Sequence, residues 1–204
     1  CSEDDPVEPN LLYSVSKLCA EHLCKAFSNV YGMEIAITRY YNVYGPNQDV
    51  QRQSPPFVGY VIRELLANKR PILHSDGKQQ RDYVYIDDVN NLNRLCMTQP
   101  EAVGQTFNVA SGHSYSVNEI FEMIAELLGS NLKPVFREST QFWNEYPSLF
   151  NGVYPLHGQR IAKEVDKFTL GSTRKARETL GWQANTPIRD GLKTTIDHAR
   201  CLLN

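Results

Sequence analysis

The sequence predicts an α/β protein on three observations. Short runs rich in β-branched and aromatic residues alternate with segments in which apolar residues recur every three or four positions. No internal repeat or low-complexity tract interrupts this alternation. The 204 residues are enough for one large domain or two small ones with a hydrophobic core. Strands that alternate with helices are typical of sheets that are at least partly parallel.

The individual elements follow from local patterns along the chain. Helices are predicted at residues 12–30, 57–67, 87–97, 116–128, 173–180 and 187–203. Strands are predicted at residues 34–40, 71–74, 82–86, 106–110 and 134–137. In the first helix, one apolar stripe is expected to be buried, and it consists of Cys19, Leu23, Ala26, Phe27 and Val30.

Capping and turn residues mark several boundaries. An S-x-x-E capping box opens the helix predicted at 116–128. Asp87 and Asp88 are expected to cap the helix that follows the strand at 82–86. The dipeptide Asp76-Gly77 indicates a β-hairpin between the strands on either side of it.

Composition and charge exclude several classes of protein. The chain has 21 Lys and Arg against 23 Asp and Glu, a formal net charge of -2 that argues against a nucleic-acid or membrane-surface partner. The five cysteines are scattered with no C-x-x-C pair, and the five histidines show no metal-ligand spacing, so neither a disulfide framework nor a metal site is expected. With no apolar run long enough to cross a membrane and no signal-peptide pattern, we expect a reduced, cytoplasmic protein.

Tyr13 and Lys17 are the first candidate catalytic pair. They are four residues apart on the first predicted helix and therefore share one of its faces. A nearby ammonium favours the phenolate, and lowering a phenol pKa by about 3 units requires about 4 kcal/mol of differential stabilisation. Such a tyrosine can move a proton to or from a hydroxyl group near neutral pH. The spacing alone is weak, because a solvated surface pair gives the same pattern.

A series of motifs in a fixed order strengthens this interpretation. The motifs are Glu3…Pro9…Tyr13-Ser-Val-Ser-Lys17, Ala20-Glu21, Thr38-Arg-Tyr-Tyr-Asn-Val-Tyr-Gly-Pro46, Pro56-Phe57, Gly77-x-x-x-Arg81-Asp-Tyr-Val84, Asp87-Asp-Val89, Phe107-Asn-Val-Ala110 and Lys175-Ala…Leu180-Gly-Trp182. Together they resemble the extended short-chain dehydrogenase/reductases, specifically the nucleotide-sugar epimerase/dehydratase family, over essentially the whole chain.

The resemblance implies roles for residues around a nicotinamide cofactor. Tyr13 would be the catalytic acid/base, and Lys17 would hydrogen-bond the nicotinamide ribose and tune Tyr13. The main chain at Tyr40 and Tyr41 would lie beside the nicotinamide. The cofactor implied is NAD, and NADP is not excluded, because the residue that distinguishes them follows the second strand of such a fold and is not in this sequence.

The resemblance also implies contacts with a nucleotide-diphosphate sugar. Asn42 and Arg81 would meet the diphosphate, which a guanidinium can bind through two parallel hydrogen bonds. Arg160 is the best match to a further phosphate-binding arginine, in a segment that departs from the family pattern. Two alternatives remain open: Arg81 could form a salt bridge with Asp82 or Asp87, and Asn42 could cap the turn that follows it.

The implied architecture is the C-terminal part of a Rossmann-type parallel sheet plus a smaller α/β substrate-binding domain. Residues 1–50 and 80–112 would end the NAD-binding domain, and residues 51–79 and 113–204 would bind the nucleotide-sugar. The sequence has no G-x-G-x-x-G or G-x-x-G-x-x-G motif. We therefore expect the Gly-rich N-terminal half, about 120 residues at about 30 per βα unit, to be absent from this chain.

The predicted function is part of an NAD(P)-dependent nucleotide-sugar epimerase, which removes and returns a hydride at a sugar carbon. The alternatives are a nucleotide-sugar 4,6-dehydratase of the same family and a non-catalytic fragment that binds a nucleotide-sugar. A homodimer through the Tyr13–Lys17 helix would match the family.

The missing glycine-rich motif leads to a direct prediction about cofactor affinity. A pyrophosphate binds where a glycine-rich turn lets it approach the start of a helix, and this sequence contains no such turn. We expect the 204-residue chain by itself to bind NAD weakly or not at all and to be inactive. Isothermal titration calorimetry measures this directly, and a micromolar dissociation constant would contradict the prediction.

Overall fold

The computed structural model describes residues 1–9, 11–138, 141–144, 146–151, 153–159, 163 and 166–203. The helices are α1 (Leu12–Tyr31), α2 (Phe57–Leu66), α3 (Ile86–Thr98), α4 (Val117–Leu128), α5 (Gln141–Asn144), α6 (Arg174–Leu180) and α7 (Ile188–Leu203). The strands are β1 (Ile37–Tyr40), β2 (Asn42–Tyr44), β3 (Ile72–His74), β4 (Gln80–Tyr85), β5 (Thr106–Val109), β6 (Ser114–Ser116) and β7 (Val135–Arg137). Among these helices, none has both the length and the apolar composition of a membrane span.

The chain divides into two compact units. The first consists of Cys1–Val43, Asp82–His113 and Leu170–Thr186, and the second consists of Tyr44–Arg81, Ser114–Thr169 and Pro187–Asn204. Strands β1 and β5 pair in parallel in the first unit, and β3 and β7 pair in parallel in the second. A three-stranded sheet has the order β2–β4–β6, and its strands β2 and β4 each pass along the chain from one unit into the other. Parallel strands combined with helices confirm the predicted α/β class.

The core of the first unit explains why residues 170–186 belong to it. Buried side chains from β4, α3, β5 and α6, and from the segments that follow α3 and α6, form one cluster, which contains Val84, Val89, Leu92, Ala102, Phe107, Val109, Ala176, Leu180 and Trp182. The Trp182 indole N–H also donates to the main-chain oxygen of Asp88, at 3.0 Å. The sequence-based division places this segment with the rest of residues 113–204, whereas in the structure its apolar side chains are buried beside β5.

The second unit is built around a group of three helices. Helices α2, α4 and α7 pack against one another through their apolar faces. Side chains at the centre of these faces are fully buried, among them Val61, Ile62, Ile120, Ile124, Leu192 and Ile196. The predicted capping box is confirmed: Ser116 Oγ accepts from the Glu119 N–H at 3.1 Å, and the Glu119 carboxylate accepts from the Ser116 N–H at 2.7 Å.

Two of the local turn and cap predictions are wrong. The Asp76-Gly77 turn does not join a hairpin, because β3 pairs with β7 while β4 lies in the three-stranded sheet. Gly77 has a φ of +72°, and a Cβ there would lie 2.0 Å from the Asn118 side chain, so packing against α4 explains this glycine. Asp88 does not cap its own helix; its carboxylate accepts from the N–H groups of Asn185 and Thr186, both at 3.1 Å.

The prediction of a buried apolar stripe on α1 is also wrong. None of the α1 side chains is buried, and Leu23, Phe27 and Val30 are among the exposed large hydrophobic residues. The partly covered positions are instead Ser14, Leu18, Glu21, Cys24 and Ser28, which recur every three or four residues on a different stripe. The helical period was therefore identified correctly, but the face that contacts the rest of the unit was not.

The buried carboxylate of Asp82 joins three segments of the first unit. Its Oδ1 atom accepts from the N–H and the hydroxyl of Ser111, at 2.7 and 2.8 Å. Its Oδ2 atom accepts from the N–H groups of Gly112 and Gly171, at 3.1 and 3.2 Å. Asp82 is fully buried, so these four donors replace the water that a buried carboxylate loses. The strand β4 is thereby attached to the turn after β5 and to the segment before α6.

We predict that Asp82→Asn lowers the free energy of unfolding by about 2–4 kcal/mol, because the new amide N–H group faces backbone N–H donors that then have no acceptor. The matched control is Asp87→Asn, a change of the same chemistry at an exposed position in α3, which should cost less than about 1 kcal/mol. Urea unfolding of the two variants measures both values. Equal values for the two variants would contradict the role assigned to Asp82.

Candidate active site

The first turns of α1 bring Tyr13 and Lys17 together on the protein surface. The Lys17 Nζ atom lies 5.4 Å from the centroid of the Tyr13 ring, within the range of a cation–π contact. The Tyr13 side chain is 72% exposed and Lys17 is also exposed, so both remain accessible to a ligand. The four-residue spacing on a helix accounts for this proximity without any help from tertiary packing.

A charge-assisted ion pair attaches α1 to strand β1. Arg39 Nε and Nη2 donate to the two carboxylate oxygens of Glu21, each at 2.7 Å. Only 25% of the Arg39 side chain and 16% of the Glu21 side chain are exposed. The Arg39 guanidinium holds the pKa of Glu21 below its ordinary value, and the Glu21 carboxylate raises the pKa of Arg39. Both groups are therefore charged throughout the neutral range.

Tyr40 and Asn42 lie on the consecutive strands β1 and β2, which belong to different sheets, and both are exposed. The Tyr40 hydroxyl and the side-chain carbonyl of Asn93 are 3.1 Å apart, so the hydroxyl donates to α3. The Asn42 Nδ2 atom donates to the main-chain oxygen of Asp82 at 2.9 Å. This bond sets the orientation of the Asn42 amide. Its acceptor belongs to Asp82, the residue whose carboxylate joins three segments of the first unit.

Tyr41 has a structural environment that differs from that of Tyr13. Its ring lies against Gly171, where an added Cβ would come within 2.8 Å of the Tyr41 Cζ atom. Burial, followed by the negative charge of Asp82, raises the pKa of Tyr41 above its ordinary value. Tyr41 therefore stays protonated near neutral pH and acts as a packing residue.

Of the two arginines expected to bind the diphosphate, the structure describes Arg81 but not Arg160. Arg81 Nη1 donates to the main-chain oxygen of Gln80 at 2.9 Å and also to that of Lys167. Two carbonyl partners fix the plane of the guanidinium at the point where the 166–170 segment passes β4. Arg160 lies outside the described residues.

The second unit contains a cavity of about 420 Å³, within the size range of small-molecule sites. Its lining combines aromatic and cationic side chains: Phe57, Tyr60, His74 and Arg137. Sequence reasoning did not identify this cavity, since its residues come from the segment before α2 and from α2, β3, β7 and α5, and no single motif contains them. A larger, open hollow of about 740 Å³ lies along β1 and α3 in the first unit and contains a single charged side chain, Glu34.

Three residues that organise the site were not identified from the sequence as functional: Glu21, Arg39 and Asp82. All three stand inside the motifs that carry the family resemblance, so a signal was present. The motifs give no indication of which residues contact one another. Among the described residues, no group of three His, Cys, Asp or Glu side chains could hold a metal ion.

The exposed Tyr13–Lys17 pair fits the ribose end of a nicotinamide nucleotide. An ammonium donates hydrogen bonds to ribose hydroxyls, and a phenol beside it can both donate and accept. Both groups project from one helix face with their polar atoms accessible. This fit concerns the ribose and nicotinamide, because the pyrophosphate requires the glycine-rich turn that the sequence lacks.

Comparison with known proteins places the chain in a family. The model of the family described as GDP-mannose 4,6 dehydratase matches residues 1–195. The UDP-glucose 4-epimerase of Mycolicibacterium smegmatis is 30% identical over 199 residues, which is 98% of this chain and 56% of that protein. The chain spans about half the length of the curated relatives that it matches.

Solved structures agree with this assignment. The UDP-glucose 4-epimerase of Thermotoga maritima, solved with UDP-glucose, superposes with a TM-score of 0.83 and 28% identity, over 100% of this chain and 58% of that one. The UDP-glucuronic acid 4-epimerase of Bacillus cereus, solved with UDP-glucuronic acid and NAD, gives 0.79 and 25%, over 99% and 56%. The chain therefore belongs to the NAD-dependent epimerase/dehydratase family of nucleotide-sugar enzymes.

Proposed function

We propose that this chain forms part of an NAD-dependent epimerase that inverts a hydroxyl-bearing carbon of a nucleotide sugar, with Tyr13 as the acid/base. The observation that carries the proposal is the exposed Tyr13–Lys17 pair, with 5.4 Å between Nζ and the ring centroid. The epimerases among the relatives, including the Thermotoga maritima and Bacillus cereus enzymes solved with UDP-sugars, support the substrate class. NADP remains an alternative cofactor.

Tyr13 acts on the proton of the reacting sugar hydroxyl. NAD, when bound beside Tyr13 and Lys17, would supply the chemistry of hydride transfer to and from that carbon. The Tyr13 phenolate takes the hydroxyl proton during oxidation and gives it back during reduction, so the enzyme ends in its starting state. Lys17 stabilises the phenolate through its positive charge and holds the ribose of the cofactor.

Asn42, Arg81 and Arg160 are proposed to bind the diphosphate of the substrate. Asn42 is exposed and its amide is oriented by the Asp82 carbonyl, which leaves it in a defined position for a phosphate oxygen. The Arg81 guanidinium has five N–H donors in a planar fork that suits phosphate. The aromatic and cationic lining of the 420 Å³ cavity is chemically suited to a nucleoside.

The strongest alternative within the family is a 4,6-dehydratase, since the matching family model carries that description. Both reactions begin with the same oxidation of a sugar hydroxyl, whose proton Tyr13 would take, but a dehydratase then eliminates water from the sugar. A non-catalytic nucleotide-sugar-binding fragment is the alternative from a different class.

The proposed homodimer would form through α1. Leu23, Phe27 and Val30 are exposed on this helix, and a contiguous apolar face of this kind is typical of an interface. Sedimentation velocity on the full-length gene product would detect the dimer.

We predict that Tyr13→Phe in the full-length gene product lowers kcat on UDP-glucose by about 10²–10⁴-fold, because the proton then has no positioned acceptor. The matched control is Tyr31→Phe, which removes a hydroxyl from the same helix at a residue that is 71% exposed. This variant should keep the parental kcat. Proton NMR of the reaction mixture measures turnover and distinguishes a 4-epimer from a 4-keto-6-deoxy sugar.

Each result decides between the three functions. An epimer lost in Tyr13→Phe and retained in Tyr31→Phe supports the proposal. A 4-keto-6-deoxy product would establish the dehydratase instead. If the parental protein binds UDP-glucose without turnover, or if Tyr13→Phe turns over as fast as the parent, the catalytic assignment is wrong.

A further inference from the structure

Helix α1 is held against the first unit with little help from hydrophobic burial. It is 20 residues long, and none of its side chains is buried. Most helices in globular proteins are stabilised by an apolar face packed on a core, and each buried large side chain contributes about 1.5–3 kcal/mol. In this chain, which spans about half the length of its curated relatives, the apolar side chains of α1 are largely exposed, and polar contacts attach the helix to the first unit.

The Arg39–Glu21 pair is the principal polar contact of α1 with the sheet. Both of its hydrogen bonds are 2.7 Å long, and the two side chains are mostly covered. A bidentate pair of this kind fixes the direction as well as the distance between two elements. Among the described residues, Ser28 Oγ of α1 also donates to the Met33 carbonyl, but this bond only reaches the turn after the helix.

Arg39 also holds the segment that precedes α1. Its Nη1 atom donates to the main-chain oxygen of Glu3 at 3.1 Å. The Glu3 carboxylate accepts from the main-chain N–H of Asn108 in β5 at 2.7 Å. The Arg39 guanidinium therefore joins β1 to α1 and to the segment before it. Glu3 in turn joins that segment to β5.

We propose that Arg39 and Glu21 are positioning residues, which set where Tyr13 and Lys17 stand relative to the strand that carries Tyr40. This inference rests on the function proposed above. Glu21 lies one turn beyond Lys17 and two turns beyond Tyr13, while Arg39 directly precedes Tyr40. Eight residues of helix span about 12 Å, so a tilt of about 5° at Glu21 moves Tyr13 by about 1 Å. A displacement of that size can reduce a rate by about 10²-fold.

The test uses Arg39→Lys, Glu21→Gln and the double variant in the full-length gene product, assayed with NAD and UDP-glucose. Arg39→Lys keeps the charge and removes the planar fork, and Glu21→Gln keeps the shape and removes the charge. Each variant should lower kcat at least about tenfold and change the KM for UDP-glucose less than about threefold. The double variant should be no slower than the slower single variant, because the two residues act as one unit.

Two further readouts separate positioning from a general loss of structure. The midpoint of the pH profile of kcat should stay unchanged, because Tyr13 and Lys17 move together on one helix. Hydrogen–deuterium exchange should become at least about tenfold faster within α1, while the amides of β5 and α3 keep the parental rate. This second readout does not depend on activity.

The matched control is Glu126→Gln, which breaks an ion pair with Arg189 of the same 2.7 Å length between exposed side chains of the second unit. Its kcat and its exchange in α1 should equal the parental values. If Arg39→Lys and Glu21→Gln keep the parental kcat and the parental exchange in α1, while Tyr13→Phe is inactive, the positioning role is wrong and the proposed function stands. If Tyr13→Phe is fully active, the proposed function is wrong, and with it the positioning role.

Discussion

The first unit depends on one buried carboxylate that has four hydrogen-bond donors around it. Asp82 collects the N–H groups of Ser111, Gly112 and Gly171 together with the Ser111 hydroxyl. A carboxylate transferred out of water needs such partners, and each of these donors would itself be costly to leave unpaired. The carboxylate needs the donors and the donors need the carboxylate. Three segments far apart in sequence therefore meet at Asp82. Asn42 then takes its orientation from the same residue through the Asp82 carbonyl.

The candidate catalytic residues lie on a helix, α1, that buries no side chain in the core of this chain. Tyr13 and Lys17 lie on α1, whereas Tyr40, which is expected beside the nicotinamide, lies on β1, a strand paired with β5. The Arg39–Glu21 pair connects these two parts. An ion pair is directional where hydrophobic packing is not, so a helix held in this way can keep both a precise orientation and an exposed apolar face.

The proximity of Tyr13 and Lys17 could be predicted from the sequence, because the pair is local. Tyr13 and Lys17 are four residues apart on a helix, so the helical repeat alone brings them together. The partners of Asn42 and Arg81 could not be identified in this way. Asn42 is bound by a carbonyl 40 residues away, and Arg81 by one 86 residues away, at distances that no periodic pattern encodes. The predicted functional roles of these residues remain predictions.

The sequence by itself determined the α/β class, the six predicted helices and five predicted strands, the S-x-x-E cap of α4 and the family, because each depends on local periodicity or on motifs in a fixed order. The short strands β2 and β6 and the helix α5 were not predicted. Tertiary structure alone decided which face of α1 contacts the unit, which strands pair and where residues 170–186 pack. Asp76-Gly77 has the composition of a hairpin turn, yet β3 pairs with β7, 63 residues further along. The physical reason is that pairing and burial are settled by competition among all surfaces of the folded chain, and a local pattern specifies only one of the competitors.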